Sequence, residues 1–188
     1  MTITTASLTR LGLLGLLGGI IQLSAVSQIT IFGVPADLSP LLVCSAGLLA
    51  GSISGATFGF CLGLFVDVSL SQTLGVTSLV FTAIGYGAGR IRELRDPAHG
   101  LAPVAVGAAA TALAQVGFAL LQFLLGVDAP VSFLLVREIL ATILLNALIA
   151  GVVHAIVRRW LLPALPEDPR RRRRRAYTTG GLSPISRA

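Results

Sequence analysis

The sequence predicts an all-α fold, a polytopic membrane bundle of six transmembrane helices. Three observations lead there. Of 188 residues, 54% are apolar and only 12% charged, about half the charged fraction of an ordinary soluble domain. Mean hydropathy is +0.88, and the chain holds 21 Gly and no Lys, a composition suited to helices that pack in lipid through small residues. The apolar residues also fall into long runs: Leu11 to Val34, Leu41 to Val66, Leu74 to Gly89, Leu101 to Gly126 and Phe133 to Leu162. A hydrocarbon core of about 30 Å needs about 20 helical residues to cross it.

The first helix is expected over 9–31, with Arg10 at its start and Gln22, Ser24, Ser27 and Gln28 as polar positions. Its end, Ala25-Val26-Ser27, has the small-residue form of a signal cleavage site, but the further apolar segments favour a retained helix. From Leu38 to Val66 no residue is charged, which allows one steeply tilted helix or two short ones broken at Gly51-Ser52-Ile53-Ser54-Gly55. Charge parity decides. Arg10 and the cluster Arg90, Arg92, Arg95 both belong on the cytoplasmic side, so an even number of crossings separates them.

Helices are therefore expected at 38–50, 53–68, 73–92, 101–126 and 132–161, the fourth being short for a span. Six crossings leave both termini cytoplasmic and place every Arg except Arg137 on that side. The outer loops then carry Asp37, Asp67 and Asp128, as the positive-inside rule requires.

The formal charge of +6 invites a nucleic-acid reading, but its position argues against one. Most of the excess lies beyond the membrane domain of residues 1–162, in a tail of residues 163–188. There Pro163, Pro166 and Pro169 precede the run Arg170, Arg171, Arg172, Arg173, Arg174, Arg175. Such a segment is expected to be disordered. It suits an anionic lipid surface, where each Arg contributes about 1 kcal/mol, or an acidic cytoplasmic partner.

Gly51, Gly55, Gly59, Gly63 and Asp67 recur every four residues, forming one ridge of bare backbone along the third helix. Another helix can approach it closely, either within the bundle or from a separate membrane protein. The reading adopted is a lateral interface for a partner helix. Asp67 ends the ridge near the outer surface, and Arg137 enters the last helix from the same side. An ionisable group in a span is costly unless paired, so an Asp67–Arg137 ion pair is expected, with a simple helix-end cap as the alternative.

Gln115, Gln122 and Asn146 read as interhelical hydrogen-bonding positions or, alternatively, as part of a small-solute site. Catalysis is not expected. Ser54 and His154 lack a nucleophile-elbow context, and Gly85-Tyr86-Gly87-Ala88-Gly89 closes a membrane helix rather than following a strand. His99, His154, Cys44 and Cys61 stand too far apart in sequence for metal spacing, so neither metal nor cofactor is expected.

The run Gly55-Ala56-Thr57-Phe58-Gly59-Phe60-Cys61-Leu62-Gly63-Leu64-Phe65-Val66-Asp67, then Leu74-Gly75-Val76 and Gly85-Tyr86, resembles the signature of the rod shape-determining MreD family. Pro35-Ala36-Asp37-Leu38 is similar to the Pro-Asp-Leu segment that opens the family's second helix, with Ala36 interposed. The resemblance implies a non-enzymatic component of the cell-elongation machinery in the bacterial plasma membrane. Its implied partners are a bitopic MreC-like protein, a RodA-type polymerase with its penicillin-binding transpeptidase, and MreB filaments. Gly55, Gly59, Gly63, Asp67 and Gly75 would then serve partner binding or helix packing. The family's fold is also similar to the six-helix S-components of energy-coupling-factor vitamin transporters, which makes a small-solute binding subunit the alternative function.

Overall fold

The computed structural model describes residues 5–24, 30–31, 34–35, 37–94, 102–126 and 133–164. Six helices account for nearly all of them: α1 (Thr5–Ser24), α2 (Ser39–Ala50), α3 (Ser52–Ser69), α4 (Val76–Leu94), α5 (Ala102–Leu124) and α6 (Phe133–Leu161). A single 3-10 turn, Leu162–Ala164, follows. Three of the helices contain segments long and apolar enough to cross a membrane, Ser52–Ser69, Pro103–Leu124 and Val136–Leu161, while Thr9–Ser24 and Ser39–Ala50 are shorter apolar helices. The chain is a helical membrane bundle.

The uncharged stretch from Leu38 to Val66 is two helices. Pro40 sits in the first turn of α2, where its missing N–H removes no helical bond. Gly51 ends that helix at φ +97°, with its N–H donated to Gly47 O at 2.9 Å. A side chain at that φ would be strained. The chain reverses there and α3 begins at the next residue.

The first helix departs from expectation. It ends at Ser24 among the described residues, not at residue 31. Thr30–Ile31 (β1) instead pairs antiparallel with Val34–Pro35 (β2), Ile31 opposite Val34. The β-branched residues Thr30, Ile31 and Val34 favour extended backbone, and apolarity alone misreads Thr30 and Ile31 as helix.

Helix α2 is the axis of the bundle, touching each of the other five helices. Leu41, Val43, Cys44, Ala46 and Leu48 are all at most 3% exposed. A helix apolar on every side is one that others surround. The outward stripes of α5 (Leu113, Val116, Leu120) and α6 (Leu140, Leu144, Leu148, Val152) are exposed, as lipid-facing surfaces are. One end of the bundle gathers Arg10, Arg90, Arg92, Arg158 and Arg159, here called the arginine end; the other gathers Asp37 and Asp67, the acid end.

Candidate functional site

The glycine ridge of α3 is filled by α4. A Cβ added at Gly55 would come under 3.0 Å from Gly85 O, one at Gly59 from Phe81 O, and one at Gly63 from Ser78 Cα. The complementary positions on α4 answer in kind: a Cβ at Gly85 would strike Gly55 O and one at Gly89 would strike Ser52 N. Gly47 of α2 joins the same node, since its added Cβ would lie 2.5 Å from Gly85 O. Three backbones therefore meet where no side chain fits, the geometry small residues provide in lipid. Of the two uses the spacing allows, packing within the bundle or against a separate membrane protein, the ridge is seen in the first, with its face against α4.

Asp67 ends the ridge at 1% exposure. Its Oδ2 accepts the Gly75 N–H at 2.8 Å and its Oδ1 the Thr77 N–H at 3.3 Å. The carboxylate thus caps the start of α4 across the α3–α4 turn, satisfying N–H groups that no helical carbonyl reaches and placing negative charge at the positive end of the helix dipole. Gly75 holds φ +96° and Ser71 φ +52° in that turn. The Gly-x3-Asp and Leu-Gly elements are therefore two halves of one hairpin. Arg137 is exposed on α6, and among the described residues no ion pair joins it to Asp67; the expected pair is replaced by the cap.

Around the acid end a second set of polar groups ties the helices together. Gln22 Oε1 accepts the Leu38 N–H at 2.9 Å, and Asp37 Oδ1 accepts the Ser39 N–H at 3.0 Å. Asn146, fully buried, donates from Nδ2 to Asp37 O at 2.7 Å and to Thr111 Oγ1 at 3.1 Å. Helices α1, α5 and α6 are thereby pinned to the entry of α2. Burial pushes the Asp37 carboxyl above its ordinary pKa, opposed by the Ser39 hydrogen bonds.

Beside this network lies a cavity of about 240 Å³ whose lining includes Gln22, Asp37, Gln72, Thr77, Gln115 and Phe118. The Gln115 amide has no hydrogen-bond partner among the described residues. An amide facing a mainly apolar cavity is costly unless it finds a partner, so the cavity is suited to an occupant that offers polar groups.

At the arginine end, Glu93 Oε1 accepts the Ser52 N–H at 3.1 Å and its hydroxyl at 2.6 Å. These bonds hold the Glu93 carboxyl below the usual carboxylate pKa. Arg92 donates to Leu49 O, and Arg90 pairs with Glu93 at 3.4 Å while lying over the Tyr86 ring. The end of α4 so clasps the α2–α3 junction.

Of the residues singled out from sequence, Gly55, Gly59 and Gly63 meet α4, and Asp67 and Gly75 meet each other. Arg170 to Arg175 lie outside the described residues. Sequence reasoning missed Gly85 and Gly89 as the other face of the seam, although their own four-residue spacing was the available signal. It also missed the Asp37, Thr77 and Phe118 walls of the cavity, which come from three separate segments.

The family model described as rod shape-determining protein MreD matches residues 5–162 of the chain. No curated protein and no solved structure matches it.

Proposed function

The chain belongs to the MreD family and is a membrane protein of the cell-shape system, and from that premise we propose that it acts as a non-catalytic scaffold of bacterial cell-wall elongation. It sits in the plasma membrane with both termini cytoplasmic, which puts the arginine end inside and the acid end outside. Its direct partner is an MreC-like bitopic protein, through which a RodA-type polymerase, its transpeptidase and MreB are held together.

The observation that carries this reading is the cavity at the acid end, given that the glycine ridge is closed. A concave, mainly apolar site with a few convergent polar groups is the form binding sites take. A membrane-proximal segment of the partner offers backbone N–H and C=O groups to Gln72, Asp37 and Gln115, and apolar side chains to Phe118 and Phe81. The small-solute alternative has no support from the comparisons.

Photo-crosslinking from the cavity tests it. A photoreactive residue at Gln72 or Phe118 is expected to yield an adduct with the MreC-like protein in membranes, whereas one at Leu144, which is 77% exposed on the lipid face of α6, is expected to yield none. Equal adducts from Leu144, or none from either cavity position, would refute the assignment.

A further inference from the structure

At the arginine end, α1 and α6 meet through a contact that the scaffold role does not use. Arg10 Nη1 donates to Trp160 O at 3.1 Å. That carbonyl belongs to the last turn of α6, whose C=O groups lack helical partners, and Arg158 and Arg159 occupy the same turn. Arg10 thus reaches the turn that carries Arg158 and Arg159, and the partial negative charge of that helix C-terminus favours cations there. None of the three has an acidic partner among the described residues.

We propose that this α1–α6 junction binds the phosphodiester of an anionic phospholipid, held by Arg10, Arg158 and Arg159 beside Trp160. Guanidinium forks match phosphate oxygens two at a time and shed water more readily than ammonium groups. Arg10 is half-buried and anchored by one N–H, and its remaining donors meet no acceptor among the described residues; Arg158 and Arg159 are exposed. Trp160 is 45% exposed and suits the headgroup level, where amphipathic rings collect.

One turn inward from the arginines, Leu13 and Ile156 present exposed apolar surface along which acyl chains can lie. A free phosphate would gain nothing from those residues; a lipid uses both halves of the site. Basic pockets between helices on the cytoplasmic side are places where anionic headgroups settle.

The chain has a single Trp, so its fluorescence reports on this junction alone. The full chain is reconstituted in phosphatidylcholine vesicles containing either brominated phosphatidylglycerol or brominated phosphatidylcholine, and quenching of Trp160 is compared. The brominated phosphatidylglycerol is expected to associate preferentially, with the preference falling about fivefold for each Arg10→Gln, Arg158→Gln or Arg159→Gln change. Arg159→Gln removes an exposed side chain that has no partner among the described residues, so the fold is expected to stay intact. Changing Arg170 to Arg175 together to Gln should keep most of the preference.

Equal quenching by the two lipids would overturn the proposal. So would a preference that survives all three Arg→Gln changes, or one lost with the tail changes alone. Loss of the preference on adding millimolar inorganic phosphate at constant ionic strength would assign the site to soluble phosphate and overturn the lipid reading.

Discussion

Replacing Gly59 with Ala adds one methyl group in the middle of the α3–α4 seam, at the α3 glycine whose added Cβ comes nearest to the α4 backbone. The new Cβ would lie under 3.0 Å from both Phe81 O and Phe81 C, backbone atoms that cannot rotate away, while ordinary contact begins at 3.4 Å. The helices must therefore separate locally by at least about 0.4 Å, and a gap of 0.5–1 Å forfeits about a quarter to a half of each dispersion contact along the seam. Overpacking of this kind costs about 1–3 kcal/mol.

Gly87→Ala on α4 is the matched control. Nothing lies within 4 Å of its added Cβ, so only the higher helix propensity of Ala acts, a gain of up to about 1 kcal/mol. The assay is reversible unfolding of each purified variant in mixed micelles of mild detergent and dodecyl sulfate, followed by circular dichroism. Gly59→Ala should fall below wild type while Gly87→Ala equals or exceeds it. Equal stability of the two variants would show that the backbones are not in contact and would remove the basis for treating the ridge as closed.

The Asp67 cap makes a prediction opposite to that of an ion pair. Asp67→Ala strands two N–H groups and should cost about 1–3 kcal/mol, Arg137→Gln should leave stability within about 0.5 kcal/mol, and an Asp67→Arg/Arg137→Asp swap should not restore what Asp67→Arg loses; rescue by the swap in the same unfolding assay would contradict the cap. Glu93 sets an acid limit on the clasp at the α2–α3 junction. Its folded pKa lies below the ordinary 4.5, so its contribution is fully present above 4.5 and is lost as pH falls through the lower folded value. Unfolding measured from pH 7 to 3 should show that loss in wild type, and Glu93→Gln should flatten it.

Much of the fold was legible because it rests on local chemistry. The break at residue 51 followed from charge parity and from a glycine-containing link, and the structure puts a left-handed glycine there. The extent of α1 was not legible, since hydropathy reports burial and not whether the backbone pairs along a helix or across a ladder. The candidate site was half legible. Period-four glycines announce a face for close approach, yet the same face serves α4 or a foreign helix equally well.

By itself, the sequence determined that six helices occur, where the second and third divide, which end bears the arginines, and that Gly55, Gly59 and Gly63 form a bare ridge. Tertiary structure alone decided that α4 fills this ridge, that Asp67 caps Gly75 and Thr77 rather than pairing with Arg137, and that an open cavity remains beside Asp37 and Gln115. Helix formation and helix ends depend on residues within a few positions of each other. What a ridge or a carboxylate meets depends on which surface arrives closest, and a carboxylate in an apolar setting accepts whichever donors come within about 3 Å.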